Sequence, residues 1–425
     1  MELPVPHATA LRATCVLETP DPLINYAFQY AKDNIARCMR YYTLGWGMSN
    51  CPHATTIVVG RDTGWMCLGT DYVAPWFAAE ALRVFKRRQK PNGQIIEYVD
   101  LESGAQSDYN LNIADNTPFY LWALAHHWQM YGDEAFRSEF ADSARMACEH
   151  LLAERGPSGL LVGVPAGTGS YGTFGWRNII EGYVQAGEVT EINALSAMAL
   201  RLMADFLEEP RYLQEAERLQ EAINTQLWAN GLYLLNRYEG KPNPQVTGDM
   251  VFPVLCGVAS EDRARAVLTR LSQSDFWSLR GMRTLPSTDP HYHPERAYGL
   301  LGGSWPNLTL WYAAAVAPYD PDTALNAIRL VAQPVVEEMP PEVNVHRGEF
   351  AEFFHGETGV NLGMHLSPWV APTFIWAVLE GLLGLRWEAG EARFKPHWPY
   401  EWHEVTLQNV PTSKGAKDYV LERER

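Results

Sequence analysis

The segment from Asn344 to Trp369 carries the side chains best suited to acid–base chemistry. Three glutamates, Glu349, Glu352 and Glu357, alternate with phenylalanine and histidine side chains. An aromatic environment disfavours the charged carboxylate and raises its pKa, which makes the carboxyl group an effective proton carrier near neutral pH. A solvated surface loop would explain the glutamates but not the aromatic residues between them. The pattern therefore indicates a catalytic segment.

A second polar segment, GRDTGW at 60–65, places an arginine next to an aspartate and close to a tryptophan. Arg61 and Asp62 can hydrogen-bond two neighbouring hydroxyl groups of a sugar, and Trp65 offers an apolar face to a sugar ring. The alternative is a structural ion pair formed by the arginine and the aspartate. We interpret the segment as a loop at the mouth of a binding site.

A third polar segment, residues 108–118, precedes an apolar stretch that is expected to be helical. Asp115 and Asn116 stand where the helix should begin, so each of them taken alone is most simply an N-cap. The whole run is more polar than a cap requires. We therefore expect some of its groups, including Tyr109 and Asp115, to face a ligand.

The fourth segment runs from residue 175 to residue 193. Thr190 is expected to cap the helix that follows, with Asn193 at its third position. Glu191 then falls in the first helical turn, where a carboxylate interacts favourably with the helix dipole. Trp176 at the start of the segment is a further candidate for a sugar contact.

The overall composition favours a carbohydrate ligand over a nucleic acid or a membrane. The chain contains 15 Trp, 20 Tyr and 15 Phe residues. Core packing is the simpler explanation for any single tryptophan, but an excess of tryptophan suits a carbohydrate site. A formal net charge of -16 repels phosphate backbones and anionic lipid surfaces. We predict a small carbohydrate as the partner, no nucleic acid and no membrane, and leave the oligomeric state open.

Several recognisable motifs are missing from the sequence. The six cysteines form no CxxC pair and no zinc-type spacing with histidine, so we predict free thiols. No GxxxxGK phosphate loop occurs, and we predict no cofactor and no metal. The N-terminal residues lack the basic and apolar regions of a signal peptide, and no run of 18 apolar residues occurs, which predicts a cytoplasmic protein.

The elements that must position these segments are helices. The first helical signal has Asp21 as the expected N-cap and Pro22 at the first helical position. Helical periodicity then recurs, bounded by Gly, Pro, Asp or Asn. The predicted helices lie near residues 72–90, 116–131, 133–154, 191–207, 210–228, 261–272, 305–316, 321–337 and 370–384.

Two helical units, near residues 132–160 and 209–232, resemble each other. Helical hairpins that repeat and close in a ring bury both sides of an inner helix layer. We predict an all-α fold, an (α/α)6 barrel formed as one domain over residues 1–425. Residues 392–410 predict a short C-terminal β segment. The alternative is an open helical solenoid, but long loops rich in Gly and Trp favour the barrel.

At these segments the chain resembles the (α/α)6-barrel glycoside hydrolases, over residues 20–410. The likeness is to the glucosidase half of glycogen-debranching enzymes and to the mannosylglycerate/glucosylglycerate hydrolase group, which is trehalase-like. The GRDT stretch at 60–63 is similar to one at the sugar-binding end of their barrel, and residues 189–193 are similar to their A-V-E-I-N stretch. Residues 351–358 are similar to a segment of the form S-E-I-F-D-G-E-P, whose glutamate is the general base of the family.

The resemblance implies an inverting glycosidase that acts on a small α-linked glucoside or a related oligosaccharide. An acid would protonate the glycosidic oxygen while Glu352 activates a water molecule on the opposite face of the ring. We expect Glu191 to bind a hydroxyl group or to act in catalysis. The residues expected to hold the substrate are Arg61, Asp62, Trp65, Tyr109, Asp115, Trp176, Arg177, Trp305 and Trp369.

The resemblance fails at the general acid, which in the family follows a tryptophan by one or two places. Arg177 and Asn178 fill that slot here, and neither side chain can protonate a leaving group. Three explanations stay open. An aspartate is replaced by Asn178, or a different acid such as Glu181 or Glu191 acts, or the site is no longer hydrolytic.

Two other functional classes remain. A lyase or epimerase on the same barrel would use histidine and tyrosine for proton abstraction, with Arg177 binding a substrate carboxylate. A non-catalytic sugar-binding module would account for the empty acid slot. The histidines that such a lyase could use are His291, His293, His346, His355 and His365.

Overall fold

The computed structural model describes residues 8–165, 174–177, 185–388 and 390–423, which contain thirteen α-helices and seventeen short β-strands. The helices are α1 Ala8–Arg12, α2 Pro22–Cys38, α3 Gly60–Thr70, α4 Pro75–Arg88, α5 Asn116–Tyr131, α6 Glu134–Ala153, α7 Thr190–Phe206, α8 Arg211–Gln226, α9 Val251–Leu255, α10 Glu261–Leu271, α11 Pro306–Val316, α12 Pro321–Val336 and α13 Val370–Trp376. The last of them continues as a π-helical stretch, Ala377–Leu382. Short 3-10 helices span Gly248–Met250, Ser274–Phe276 and Pro341–Val343.

The strands are β1 Val16–Glu18, β2 Met39–Tyr42, β3 Gly45–Met48, β4 Ile57–Val59, β5 Tyr98–Asp100, β6 Gln106–Ser107, β7 Glu188–Val189, β8 Trp228–Ala229, β9 Leu232–Tyr233, β10 Asn236–Tyr238, β11 Lys241–Asn243, β12 Trp277–Ser278, β13 Gly281–Met282, β14 Arg386–Glu388, β15 Glu391–Arg393, β16 Glu404–Thr412 and β17 Gly415–Glu422. They form small antiparallel sheets, and the β segment predicted near the C-terminus corresponds to β14–β17. The two longest strands, β16 and β17, pair with each other, and β16 also pairs with β1.

Alternate helices differ in how much of their surface is buried. Helices α3 and α13 are buried along their whole length, and α5, α7 and α11 are buried over most of theirs. In contrast, α4, α6, α8, α10 and α12 each bury one stripe of residues and expose the rest. A helix that is enclosed on all sides belongs to the interior, whereas an amphipathic helix covers it. The helices therefore form an inner and an outer layer.

The contacts between helices follow the chain order. Helix α3 contacts α5, α5 contacts α7, α7 contacts α9, α9 contacts α11, α11 contacts α13, and α13 contacts α3 again. Outside them, α4 packs against α3 and α5, α6 against α5 and α7, and α12 against α11 and α2. This order of neighbours is the one that the predicted (α/α)6 barrel requires.

The prediction of a loop at 60–65 is wrong, because these residues open helix α3. A helix buried on every side has no apolar stripe, so its sequence lacks the periodicity by which helices are detected. Its glycines serve close packing instead. A Cβ on Gly64 would lie 2.6 Å from the Phe119 Cβ on α5, and a Cβ on Gly69 would lie 1.9 Å from the carbonyl oxygen of Pro372 on α13.

Helix caps were predicted with mixed success. Asp21 does cap α2, since its side chain accepts a hydrogen bond from the backbone N–H of Leu23 at 3.0 Å. Asp115 occupies the predicted N-cap position of α5, whereas Thr190 is already the first residue of α7 and Val189 stands at its N-cap. Neither side chain caps its helix, and the Thr190 hydroxyl instead donates to the carbonyl oxygen of Leu234 at 2.5 Å.

All six cysteines are free thiols, five of them buried and Cys51 partly exposed. The helices of the described ranges include none that is both long enough and apolar enough to span a membrane.

A cluster of buried ionisable groups joins three inner elements where α3 and α5 end. The Asp71 carboxylate contacts His126 Nδ1 at 2.7 Å and His127 Nδ1 at 2.6 Å. His126 Nε2 contacts Glu380 Oε1 at 2.7 Å, and the Tyr72 hydroxyl donates to the same oxygen at 2.9 Å. Burial opposes the charge of His126, but the two carboxylates outweigh it and raise its pKa to about 10. The cluster therefore ties the π-helical stretch to α3 and α5.

We expect Glu380→Gln to lower the free energy of unfolding by about 3 kcal/mol at pH 6, because removing one partner of a buried ion pair leaves the other charge uncompensated. The raised pKa of His126 contributes stability that is complete below about pH 6.5, declines as the pH rises, and is lost through about pH 10. Denaturant unfolding from pH 6 to pH 10 measures this. Glu388→Gln, on the exposed Glu388, is the matched control. A Glu380→Gln effect that does not diminish with pH would contradict this account.

Candidate active site

A cavity of about 660 Å³ lies where α3, α11 and α13 begin. Its lining combines aromatic rings with carboxyl groups. Eight residues predicted from sequence line this one cavity: Arg61, Asp62, Trp65, Tyr109, Trp176, Trp305, Glu352 and Trp369. Residues that the sequence did not single out also line it, among them Asn50, Cys51, Glu97, Tyr98, Tyr298, Phe353 and Met364.

Glu352 lies in the segment between α12 and α13 and is partly buried in the cavity wall. Its backbone N–H donates to the carbonyl oxygen of Met364 at 2.9 Å, and the Met364 N–H donates to Glu352 Oε2 at 3.1 Å. This reciprocal pair fixes the direction of the carboxyl group. Burial raises the pKa of Glu352 to about 7, although the hydrogen bond from Met364 opposes the rise. A carboxyl group in this state exchanges a proton near neutral pH.

Asp62 is in the first turn of α3, and only 8% of its surface is exposed. In the described part of the chain, no residue donates a hydrogen bond to its carboxyl group or forms an ion pair with it. Burial raises the pKa of Asp62 well above its usual range, and the neighbouring carboxylates Glu97, Asp115 and Glu352 add to the rise. The positive charge of Arg61 lowers the pKa of Asp62, but by less than these effects raise it. Together, these effects favour the protonated form of the Asp62 carboxyl group in the cavity wall.

The guanidinium group of Arg61 is held between two carboxylates. Its Nε donates to both oxygens of Asp115, at 2.8 and 2.9 Å, and its two terminal nitrogens donate to Glu97, one of them at 2.9 Å. Asn116 accepts a hydrogen bond from the Arg61 backbone at 2.7 Å and donates to Glu97. The ion pair envisaged with Asp62 is absent because residues adjacent along a helix point in different directions. Asp115 thus supports Arg61 from behind and does not line the cavity.

Trp176 is fixed by two polar contacts behind the cavity wall. Its backbone N–H donates to Glu191 Oε1 at 3.0 Å, and its indole Nε1 donates to Asp249 at 2.7 Å. Asp249 also accepts from Arg177 Nε at 2.8 Å, and Arg177 is 0% exposed in side chain. Arg177 and Glu191 therefore do not line the cavity, and the proposed contact of Arg177 with a substrate carboxylate is wrong for this structure.

The aromatic rings of the cavity are packed against one another. Trp305 stacks on Phe353 with ring centroids 5.4 Å apart and planes 10° apart. Trp176 meets Trp305 edge to face at 5.5 Å, and Trp65 lies 4.9 Å from Trp311 of α11. Rings held in this way present fixed apolar surfaces, which suit the apolar faces of a sugar ring.

Some predicted residues cannot be assigned to the cavity. Asn178 and Glu181 lie outside the described residues. Glu191 is buried beneath Trp176, where burial raises its pKa well above the usual range and Asp249 adds to the rise. None of the five candidate histidines is among the residues that line the described cavity.

The sequence did not indicate two important charged residues, Glu97 and Asp249. Glu97 is a partner of Arg61, and the only local sign of it is a charge at the end of the apolar pair Ile95–Ile96. Asp249 is the partner of Arg177, and nothing in its neighbourhood marks it. Both act through residues distant in the chain, which a local pattern does not reveal.

Within the described ranges, three potential metal ligands meet at one place, His346, Glu349 and His365. Glu349 already accepts a hydrogen bond from Arg37 at 2.6 Å and contacts His346 Nδ1 at 3.0 Å. The two imidazole rings stack with centroids 4.0 Å apart and planes 15° apart. Lone pairs in nearly parallel planes do not converge on one ion at about 2 Å. The geometry favours an ion pair beside a stacked contact over a metal site.

Solved structures resemble the chain in fold. A sialidase superposes with a TM-score of 0.73 at 14% identity, over 96% of this chain and 40% of its own. A GH78 family rhamnosidase of Bacillus sp. GL1 gives 0.65 at 18%, over 95% and 39%. The chain thus spans about two fifths of these two proteins. The GH63 mannosylglycerate hydrolase from Thermus thermophilus, in complex with glucose, gives 0.63 at 16%, over 84% and 100%.

Sequence comparison identifies the family. No curated protein sequence matches the chain. The model of the Mannosylglycerate hydrolase MGH1-like glycoside hydrolase domain matches residues 59–377, which is more than half of the chain. The match includes Asp62, Glu97 and Glu352, whose carboxyl groups line the described cavity, and it confirms the resemblance to this group of enzymes. The chain therefore belongs to the MGH1-like glycoside hydrolases, a family of glycosidases.

Proposed function

We propose that the protein is an inverting glycosidase built on an (α/α)6 barrel, that it binds a small α-linked glucoside or a related oligosaccharide in the cavity, and that Glu352 is its general base. One observation carries the proposal. Glu352 faces the same cavity as Asp62 and the tryptophans Trp65, Trp176 and Trp305. Carboxyl groups beside fixed aromatic faces are what a glycosidase needs to bind a sugar ring and exchange protons with it.

Glu352 suits the role of base because of its surroundings. Its hydrogen bond from Met364 leaves part of the carboxylate directed at the cavity, where a water molecule can donate to it. Burial in the cavity wall keeps the pKa of Glu352 close to neutrality. A base with such a pKa accepts a proton from water more readily than an ordinary glutamate.

The cavity also limits the size and charge of the ligand. Its volume of about 660 Å³ falls in the range of about 300–1,000 Å³ that is typical of small-molecule sites. Its described lining contains three carboxyl groups, on Asp62, Glu97 and Glu352, and a single guanidinium group, which Glu97 neutralises. Such a lining favours a neutral polyol. We place the protein in the cytoplasm, in keeping with its sequence.

The lyase or epimerase alternative has less support. It would use histidine and tyrosine for proton abstraction, and in the described part of the chain the cavity is lined by Tyr98, Tyr109 and Tyr298 but by no histidine. Arg177, which would bind a substrate carboxylate, is occupied by Asp249. The product distinguishes the two reactions, since a lyase leaves an unsaturated end that absorbs ultraviolet light.

We expect Glu352→Gln to lower kcat by about 10²–10⁴-fold, the usual contribution of a general base, while leaving sugar affinity measurable. Turnover of 4-nitrophenyl α-glucoside, α-mannoside and α-rhamnoside, with proton NMR of the anomer first released, measures activity and inversion together. Glu357→Gln changes an exposed glutamate of the same segment and should leave kcat unchanged. Retained turnover in Glu352→Gln would remove Glu352 from the base role. Calorimetric binding without turnover by the wild type would favour a sugar-binding module.

The pH dependence of the wild type should carry the same signature. Glu352 must be ionised to act as a base, and burial raises its pKa to about 7. We therefore expect kcat/KM to fall as the pH decreases through about 7. A falling limb centred near 4.3, the value of an unperturbed glutamate, would contradict the assignment.

Arg61 is proposed to position its neighbours and not to bind the sugar through its guanidinium group, because its donors already serve Glu97 and Asp115. Arg61→Met should lower the free energy of unfolding by about 3–5 kcal/mol, since it leaves two buried carboxylates unpaired. Arg218→Met removes an exposed ion pair with Glu215 and should cost less than about 1 kcal/mol. Denaturant unfolding compares the variants. An unchanged stability with a raised KM would instead make Arg61 a direct sugar ligand.

A further inference from the structure

The carboxyl groups of the cavity do not all have the same freedom to transfer a proton. Three of them line it in the described part of the chain, on Asp62, Glu97 and Glu352. Glu97 accepts hydrogen bonds from Arg61 and from Asn116 with its two oxygens, so both oxygens are already engaged. Glu352 is the proposed base. Asp62 is left, and the proposed reaction gives it no role in proton transfer.

The surroundings of Asp62 favour the protonated form of its carboxyl group. Its nearest cation, Arg61, is turned towards Glu97 and Asp115, so these three groups together carry a net negative charge. Glu352 adds a further negative charge to the same cavity. Burial and these carboxylates raise the pKa of Asp62 well above its usual range. A buried carboxyl group that stays protonated at neutral pH can donate that proton to a bound molecule.

We propose that Asp62 is the general acid of this enzyme and takes the place of the acid that is missing from Arg177 and Asn178. The inference rests on the proposed hydrolysis with Glu352 as base. It depends on the position of Asp62 in the cavity wall and on the engagement of Glu97 elsewhere.

The proton balance of the reaction is complete. The Asp62 carboxyl group donates its proton to the glycosidic oxygen as the bond from that oxygen to the anomeric carbon breaks, and the leaving group departs as a neutral alcohol. The water oxygen bonds to the anomeric carbon, and Glu352 takes one water proton. Asp62 ends as a carboxylate and Glu352 as a carboxylic acid. Exchange with solvent returns both to the starting state.

A pair of substrates that differ only in the leaving group tests this assignment. A 2,4-dinitrophenyl glycoside departs without acid assistance, whereas a methyl glycoside of the same sugar requires it. Asp62→Asn should lower kcat/KM on the methyl glycoside by about 10²–10⁴-fold and on the dinitrophenyl glycoside by less than about tenfold. Glu352→Gln should lower both. The glucosides, mannosides and rhamnosides are assayed in parallel.

The controls separate an acid from a binding residue. Asp142→Asn changes an aspartate whose side chain is 97% exposed and should alter neither rate. Asp62→Asn should also abolish the decline of kcat/KM at alkaline pH. Asp62→Glu keeps an acid and should restore part of the rate on the methyl glycoside, and it serves as the second variant if Asp62→Asn does not fold. Circular dichroism and the thermal midpoint check folding.

Three results would overturn the inference. Equal losses on both substrates would make Asp62 a binding residue only, and an unchanged alkaline limb in Asp62→Asn would exclude it as the proton donor. If Glu181→Gln showed the leaving-group dependence instead, the acid would be Glu181. In each case the wild type still hydrolyses the glycosides. A wild type that hydrolyses none of them overturns the proposed function, and the role of Asp62 with it.

Discussion

The inner helices of this protein are enclosed by other parts of the chain on every side, and this enclosure decides where charge can be placed. A helix without a solvent-facing side has no polar face, so its charged residues must be paired or must stand at its ends. Helix α3 begins with Arg61 and Asp62 and ends before Asp71, and α5 begins after Asp115 and carries His126 near its end. Buried charge therefore collects at two levels of the fold, one of which is open to a ligand.

Charge is balanced differently at these two levels. Where α3 and α5 end, imidazole groups alternate with carboxylates, and the protons shared by Asp71, His126 and Glu380 hold three elements together. Where the same helices begin, carboxyl groups outnumber cations, and Arg61 is taken up by its own partners. The desolvation of Asp62 and Glu352 is then not fully offset by a cation, and it raises their pKa. The end of the inner layer at Asp71 thus gains stability. The other end has two carboxyl groups, on Asp62 and Glu352, in different surroundings, and such a difference is what separates the pKa values of an acid and a base.

How far the sequence predicted the fold depends on exposure. Periodicity identified the outer helices well because each has a buried and an exposed face. It located α13 but missed α3, which is buried as completely and whose glycines at 60, 64 and 69 are typical of a loop. Asp115 does stand at the N-cap position, but its side chain makes no cap because it binds a tertiary partner, Arg61. Glu97 and Asp249 were missed because their partners lie 36 and 72 residues away. The aromatic residues around Glu352 led us to expect a raised pKa, and burial in the cavity wall does raise it.

Arg177, which follows Trp176, has a different role from the acid at the corresponding position of the resembling enzymes. In the resembling enzymes an acid lies there, whereas here Arg177 points away from the cavity and holds Asp249, whose carboxylate accepts the indole N–H of Trp176. Glu191 holds the backbone of the same tryptophan. An acid in this place would need access to the ligand, but a fully buried arginine needs only its partner. Arg177 therefore orients a ring of the binding site, and it is not placed to donate a proton to a ligand.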